Sequence, residues 1–252
     1  MQVKGLITIA VAAAAVAGCG AGDAGDASPP TAAPSGATSQ PARPGQPTGP
    51  ATPSAAATRP TDPAAFAARI RRIPSRATVR YSWRPGCPVP LSGLRLIEMT
   101  YWGFDKKPHQ GRMVINAREA KDIVKVFERL YDGRYPIRRM ELVDKYKGSD
   151  FDSIEANNTS AFNCRSATGS SSWSQHAYGL AVDINPCENP YVTADGSVAH
   201  KDCVKYRNRD RRGPGVIHRG DKVYRAFASI GWEWGGLWSG TRDYQHFSRT
   251  GR

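Results

Sequence analysis

Ser174-Gln175-His176-Ala177-Tyr178-Gly179-Leu180-Ala181-Val182-Asp183 is the stretch on which the reading of this chain turns. A histidine and an aspartate stand on either side of a glycine, and Ala181, Val182 and Ile184 supply the apolar run of a short strand. The pattern reads as a loop delivering two metal ligands into that strand. Gly179 is explained by backbone need, a turn that a side chain would obstruct.

A catalytic zinc ion takes three protein ligands and keeps one position open for water, so the pair needs a third partner. The chain has five histidines. His109, His200 and His218 lie in polar, Gly-, Lys- or Arg-rich surroundings and are expected to be exposed. His246, within Asp243-Tyr244-Gln245-His246-Phe247, is flanked by aromatics and is the best third ligand. Taken alone, His176 and Asp183 have an alternative reading as a histidine satisfied by a buried carboxylate. With His246 and the motifs around it the ligand reading is preferred, and the chemistry is compatible: two neutral imidazoles and one carboxylate would leave the ion a net positive charge. That charge lowers the pKa of a bound water toward ~7.

Ser174-x-His176-x-x-Gly179-x-Ala181-x-Asp183 together with Asp243-x-x-His246 resembles the zinc peptidases that trim bacterial wall peptides. These are the D-alanyl-D-alanine carboxypeptidases of the VanY and VanX kind and the L-alanyl-D-glutamate endopeptidases of phage lysins. Phe162-Asn163-Cys164-Arg165, Asp183-Ile184-Asn185-Pro186 and Gly231-Trp232-Glu233-Trp234-Gly235-Gly236 are similar to the lysin-like branch. Leu237 and the pair Tyr244-Gln245 depart from that branch without removing a ligand. The resemblance implies His176, Asp183 and His246 as Zn2+ ligands and Asp243 as the general base. It further implies Arg165 as the cation facing the scissile carbonyl and Ser174 as a substrate hydrogen-bonding group. The alternative for Asp243 is a loop cap, and for Arg165 a bridge to a structural carboxylate. Trp173, Tyr178, Trp234, Trp238 and Tyr244 are candidates for lining a cleft, with core packing as the alternative. The implied activity is hydrolysis of an amide bond in peptidoglycan stem peptides, as a D-alanyl-D-alanine carboxypeptidase or an L-alanyl-D-glutamate endopeptidase. A non-catalytic zinc-containing wall-binding module is the alternative from another class, since this fold is shared with hedgehog signalling domains.

Outward from the motif, hydrophobic periodicity predicts the elements. Phe66, Ile70 and Ile73 suggest a short helix over Pro63–Ile73, and Val79, Tyr81 and Trp83 alternate as a strand over Thr78–Trp83. Leu94–Tyr101 is a second strand, Lys106–Gly111 a polar turn, and Met113–Ile115 a short strand. Asn116 is placed to cap a helix carrying Ala120, Ile123, Val126, Phe127, Leu130 and Tyr131 to its end at Gly133. Ile137–Val143 reads as a strand, Asp150–Ala156 as a helical turn, Asp221–Ile230 as a second amphipathic helix, and Tyr244–Ser248 as a final strand. The sum is a single α+β domain over residues 63–252, with a small antiparallel sheet and flanking helices, of the hedgehog and D-alanyl-D-alanine peptidase type.

The first quarter has a different character. Lys4, the apolar run Leu6–Ala17 and the tetrapeptide Val16-Ala17-Gly18-Cys19 make residues 1–19 a secretory signal that resembles a bacterial lipobox. Cys19 would then carry a lipid, whose anchoring grows by roughly 0.8 kcal/mol per buried methylene. Residues 20–62 are Ala-, Pro-, Ser-, Thr- and Gly-rich, a disordered tether reaching about 40 Å as a coil and about 130 Å in extended polyproline form. The expected location is that of an exported, membrane-anchored lipoprotein facing the cell wall, as a monomer.

The formal net charge is +13. Through Asp62 the basic Lys4, Arg43 and Arg59 cancel Asp23, Asp26 and Asp62, so the excess lies entirely beyond. Such a domain attracts anions, here acidic stem peptides and anionic wall polymers, with Arg207–Arg212 a candidate contact or a solvated basic loop. Export and the lack of a recognised nucleic-acid module argue against nucleic acid. Besides Cys19 there are Cys87, Cys164, Cys187 and Cys203, an even number suited to two disulfides. Three pairings are possible; Cys187 with Cys203 and Cys87 with Cys164 is favoured, and the sequence does not decide. If Cys19 carries the anchor, Cys19→Ser moves the protein from the membrane to the soluble fraction on ultracentrifugation. Unchanged partitioning refutes lipid anchoring.

Overall fold

Strand β1 (Ala68–Arg72), β2 (Leu94–Trp102) and β3 (Pro108–Asn116) form an antiparallel sheet in that order within a computed structural model that describes residues 65–252. The expected signal segment with Cys19 and the tether over residues 20–62 lie outside the described residues. Side chains alternate across a strand, and β2 and the inner half of β3 are covered on both faces, whereas β1 is exposed along its length. Ile97, Met99, Met113 and Ile115 enter the main core, while Leu94, Leu96 and Val114 enter a smaller one with Val79 and Phe162.

Helix α1 (Ala120–Asp132) covers the main face because Ala120, Ile123, Val126, Phe127 and Leu130 share one side at helical spacing. Gly133 ends it, its N–H bonding the Arg129 carbonyl at 3.0 Å. Asn116 does not occupy the N-cap position of α1, which is Glu119, but its Oδ1 accepts from the Arg118 N–H at 3.1 Å in the turn that leads into the helix. It is still paired with Leu94 in the sheet, and its side chain donates to the Tyr178 carbonyl at 3.0 Å, tying β3 to the motif loop.

The later half uses shorter pieces: α2 (Asp150–Glu155), β4 (Ala181–Asp183), β5 (Tyr191–Val192), α3 (Lys222–Ala228), β6 (Glu233–Trp234), β7 (Arg242–Asp243) and β8 (His246–Ser248). The order β4-β8-β6 makes a second antiparallel sheet, and β5 pairs with β7. Ser149 caps α2 by accepting from the Asp152 N–H, and Asp221 caps α3 by accepting from the Tyr224 N–H. Phe227 of α3 stacks on Phe247 of β8 with centroids 4.1 Å apart, joining the second sheet to the main core. The whole is the expected α+β domain with small antiparallel sheets and few helices.

Several local expectations fail for identifiable reasons. The stretch expected as a helix from Pro63 to Ile73 holds β1, because the open edge of β2 offers ladder partners that an isolated short helix lacks. Thr78–Trp83 is not a strand: a 3-10 turn over Arg76–Val79 leads into a bend whose Tyr81 and Ser82 N–H groups are taken by the Asp144 carboxylate. The polar Lys106–Gly111 is largely β3, paired with β2 as far as Trp102 opposite Pro108. Its polarity reflects an exposed sheet end. Ile137–Val143 makes only the isolated bridges Gly103–Ile137 and Met140–Thr159. The last expected strand is divided into β7 and β8. His109 is exposed as expected, whereas His200 and His218 are half-buried.

Polar pins take over where regular structure is short. Glu119 is buried and accepts from the Trp232 indole at 3.2 Å and from Arg249 at 2.9 Å. Arg209, from the stretch read as a basic contact or solvated loop, is instead largely structural. Its guanidinium donates to the carbonyls of Glu188, Tyr206 and Ile217 and to the Asn189 side chain, with its face over the Tyr244 ring at 4.3 Å. Burial lowers its pKa to about 10. Disulfides join Cys87 to Cys164 and Cys187 to Cys203. Phe227→Ala removes the ring that links helix and second sheet, and is expected to cost about 3–5 kcal/mol in urea unfolding. A loss below about 1 kcal/mol would contradict that role.

Candidate metal centre

Asp183 and His246 stand directly opposite one another in the β4–β8 ladder, so their side chains share a face. The alternate residues Val182 and Phe247 point the other way, into the core. His176 arrives from a 3-10 turn over Gln175–Tyr178, whose start is capped by the Ser174 hydroxyl accepting from the His176 N–H. Gly179 ends that turn at φ +65°, and a Cβ there would lie 2.6 Å from the Asn116 nitrogen. Positive φ and close approach both require glycine, as the sequence suggested.

The result is a buried cluster in which one ligand atom each of His176, Asp183 and His246 lie within 4.8 Å of one another. His176 Nε2 is 3.2 Å from Asp183 Oδ2 and 3.3 Å from His246 Nδ1, and His246 Nδ1 is 3.1 Å from Asp183 Oδ1. His176 Nδ1 meets the Ala161 carbonyl at 2.6 Å. That bond places the ring proton on Nδ1 and turns the Nε2 lone pair inward, the usual second interaction of a metal-binding histidine.

The electrostatics agree with a cation site. Burial would push the His176 pKa down, but the charge and hydrogen bond of Asp183 outweigh it and leave it raised. Burial would push Asp183 up, yet His176 and His246 hold its carboxyl far below the usual range. Two imidazole nitrogens facing each other and a carboxylate need something positive between them. His246 Nε2 and Asp243 Oδ1 are also buried without a protein partner, so protein atoms alone leave the site unsatisfied. Two imidazoles and a carboxylate suit Zn2+.

Asp243 lies on β7, opposite Tyr191. It is buried, and its pKa is pushed up to about 7 by that burial and by the Asp183 charge, against the pull of His246 and Arg165. Gly235 makes room for this chain segment, since a Cβ there would sit 2.6 Å from the Asp243 carbonyl oxygen and 3.3 Å from the His246 Cβ.

A cleft of about 220 Å³ opens over the cluster, and Arg165, Trp173, Ser174, Trp238, Asp243 and Arg252 help to line it. Of the residues the sequence singled out, Arg165, Ser174, His176, Asp243 and His246 line one space, and Asp183 joins His176 and His246 in the cluster beneath it. Of the aromatic candidates, Trp173 and Trp238 line the cleft, whereas Trp234 is in the core and Tyr178 and Tyr244 pack against hydrophobic clusters. Two residues escaped the sequence reading. Asp150 binds Arg165 at 2.8 Å, so the arginine has its structural carboxylate and faces the cleft as well. Arg252 joins the lining from beyond the last recognised motif, where spacing carries no signal.

Residues 168–249 match the model of a family described as D-alanyl-D-alanine carboxypeptidase. The match contains His176, Asp183, Asp243 and His246. Neither a curated protein nor a solved structure matches the chain. If the cluster holds zinc, the purified protein carries a stoichiometric amount by elemental analysis and Asp183→Ala removes it. Zinc retained in full by the variant would exclude Asp183 as a ligand.

Proposed function

We propose that this chain is a zinc-dependent metallopeptidase that hydrolyses an amide bond in peptidoglycan stem peptides, with D-alanyl-D-alanine carboxypeptidase activity the leading reading. The observation that carries it is the buried His176–Asp183–His246 cluster sharing one cleft with Asp243 and Arg165, inside or beside the span matched by the family.

A zinc ion held by His176, Asp183 and His246 supplies Lewis acidity and a water of lowered pKa. The chain's own groups do the rest. Asp243, with its proton affinity raised toward neutrality, accepts the proton of the attacking water and returns it to the departing amine. Arg165 offers its guanidinium to the carbonyl oxygen as negative charge develops, a contribution on the order of 3 kcal/mol, and Asp150 fixes its position. The Ser174 hydroxyl accepts from the His176 N–H and keeps its own proton for the substrate. Trp173 and Trp238 give the cleft apolar walls.

The lipobox-like Val16–Cys19, the tether and two disulfides support a place outside the cytoplasm, anchored by Cys19 and facing the wall. The excess positive charge supports attraction of acidic stem peptides and anionic wall polymers.

Digestion of defined muropeptides with and without a chelator, read by mass spectrometry, tests the proposal. Loss of a terminal D-alanine marks the carboxypeptidase, and cleavage after L-alanine marks the endopeptidase alternative. No metal-dependent product would leave a non-catalytic zinc module. Asp243→Ala is expected to keep its zinc and lose turnover by about 100-fold or more; undiminished turnover would remove it as the base.

A further inference from the structure

The cleft contains two guanidinium groups, and their situations differ. Arg165 is committed to Asp150 at 2.8 Å and to the Ser166 carbonyl at 3.1 Å. Among the described residues no carboxylate pairs with Arg252. Its guanidinium lies over the Trp238 ring at 5.6 Å, and the same ring is 5.6 Å from that of His246, so one indole touches both the arginine and the His–Asp cluster.

The position is built by the chain around it. Gly251 turns at φ +73°, where a side chain would be strained and would run into Glu233. The Trp238 indole N–H donates to the Gly251 carbonyl, and the Ser248 hydroxyl donates to the Arg252 carbonyl at 3.0 Å. A turn that holds an exposed, unpaired cation on an aromatic wall, beside the His176–Asp183–His246 cluster, is suited to receiving an anion from the substrate.

Resting on the peptidase reading above, we infer that Arg252 is a specificity-determining residue that receives the α-carboxylate of the substrate residue on the leaving side of the scissile amide. The chemistry covers both stem-peptide bonds under consideration. In D-alanyl-D-alanine the leaving residue has a free α-carboxylate because it is terminal. In L-alanyl-D-glutamate it has one because the stem continues through the γ-carboxyl. The planar guanidinium matches a carboxylate with two parallel N–H···O bonds, a geometry that a carboxamide cannot complete, because it offers one oxygen and two competing donors. Amidation of the leaving residue would therefore weaken binding with either substrate.

The test uses two matched peptide pairs with the full chain. One pair ends in D-alanyl-D-alanine as the acid or the carboxamide; the other carries γ-linked D-glutamate, or its α-amide, after L-alanine. The pair that is cleaved identifies which carboxylate is read. The acid is expected to have a KM roughly tenfold below that of the amide, an effect typical of a charge-assisted contact at a partly exposed site. Arg252→Gln brings the acid's KM up to that of the amide with a smaller effect on kcat, and Arg252→Lys restores part of the preference. Equal KM values in the parent protein overturn the inference, as does an acid preference that survives Arg252→Gln. A fall in kcat on acid and amide alike also overturns it, by marking a structural role. If no peptide of the four is cleaved, the peptidase reading itself fails and this inference falls with it.

Discussion

The pairing of Asp183 opposite His246 in the β4–β8 ladder is the constraint from which the site follows. A buried carboxylate is costly unless it is paired, and here its partners are two imidazoles that themselves need a cation between them. The ladder is short, so its register has to be enforced by the core. Val182 and Phe247 do this, because a slip by one residue would drive both into the cleft and put Asp183 and His246 among apolar side chains. Stability of the core and assembly of the ligand set are one requirement.

The parts of the site that lie close in sequence were legible for that reason. His176, Gly179 and Asp183 sit on one turn and one strand, so their spacing reports their geometry. His246 was found by its aromatic flanks and its likeness to a family pattern. Asp150 was not legible, because its approach to Arg165 depends on where α2 and the loop before the motif come to rest. Arg252 was missed for a related reason: its place depends on Gly251 and on an indole donor from a different segment. Among the elements, α1 was secure because burial along one helical face is a local property. β1 was misread because Phe66, Ile70 and Ile73 satisfy helical spacing, while the outcome was decided by the free edge of β2 far along the chain.

Loop-rich construction explains why so many polar side chains are structural. The strands of the second half are two or three residues long and cannot satisfy their surroundings alone. Asp144, Glu119, Asn189 and Arg209 take up the backbone and side-chain groups left over. The disulfides act on the same problem from the unfolded state. By chain entropy the Cys187–Cys203 loop contributes about 3 kcal/mol and the longer Cys87–Cys164 loop about 4.5 kcal/mol. The second also fixes the residue immediately before Arg165, so a fold-stabilising bond lies one residue from a group facing the cleft.

Charge works at two ranges in this molecule, and only one of them can choose a substrate. The formal +13 raises the encounter rate with any anion near a wall, but over a Debye length of about 8 Å at physiological salt it is screened. It does not distinguish one acidic peptide from another. Within the cleft and the cluster beneath it the charges are few and mostly committed: Asp183 to the imidazoles, Arg165 to Asp150, and Asp243, whose pKa burial and the Asp183 charge push up to about 7, to proton transfer. Discrimination is therefore assigned to what remains uncommitted there, and a cation on an aromatic wall, held by a glycine turn at the edge of the cleft, meets that requirement. Selectivity on this account is local and directional, while the basic surface supplies only proximity.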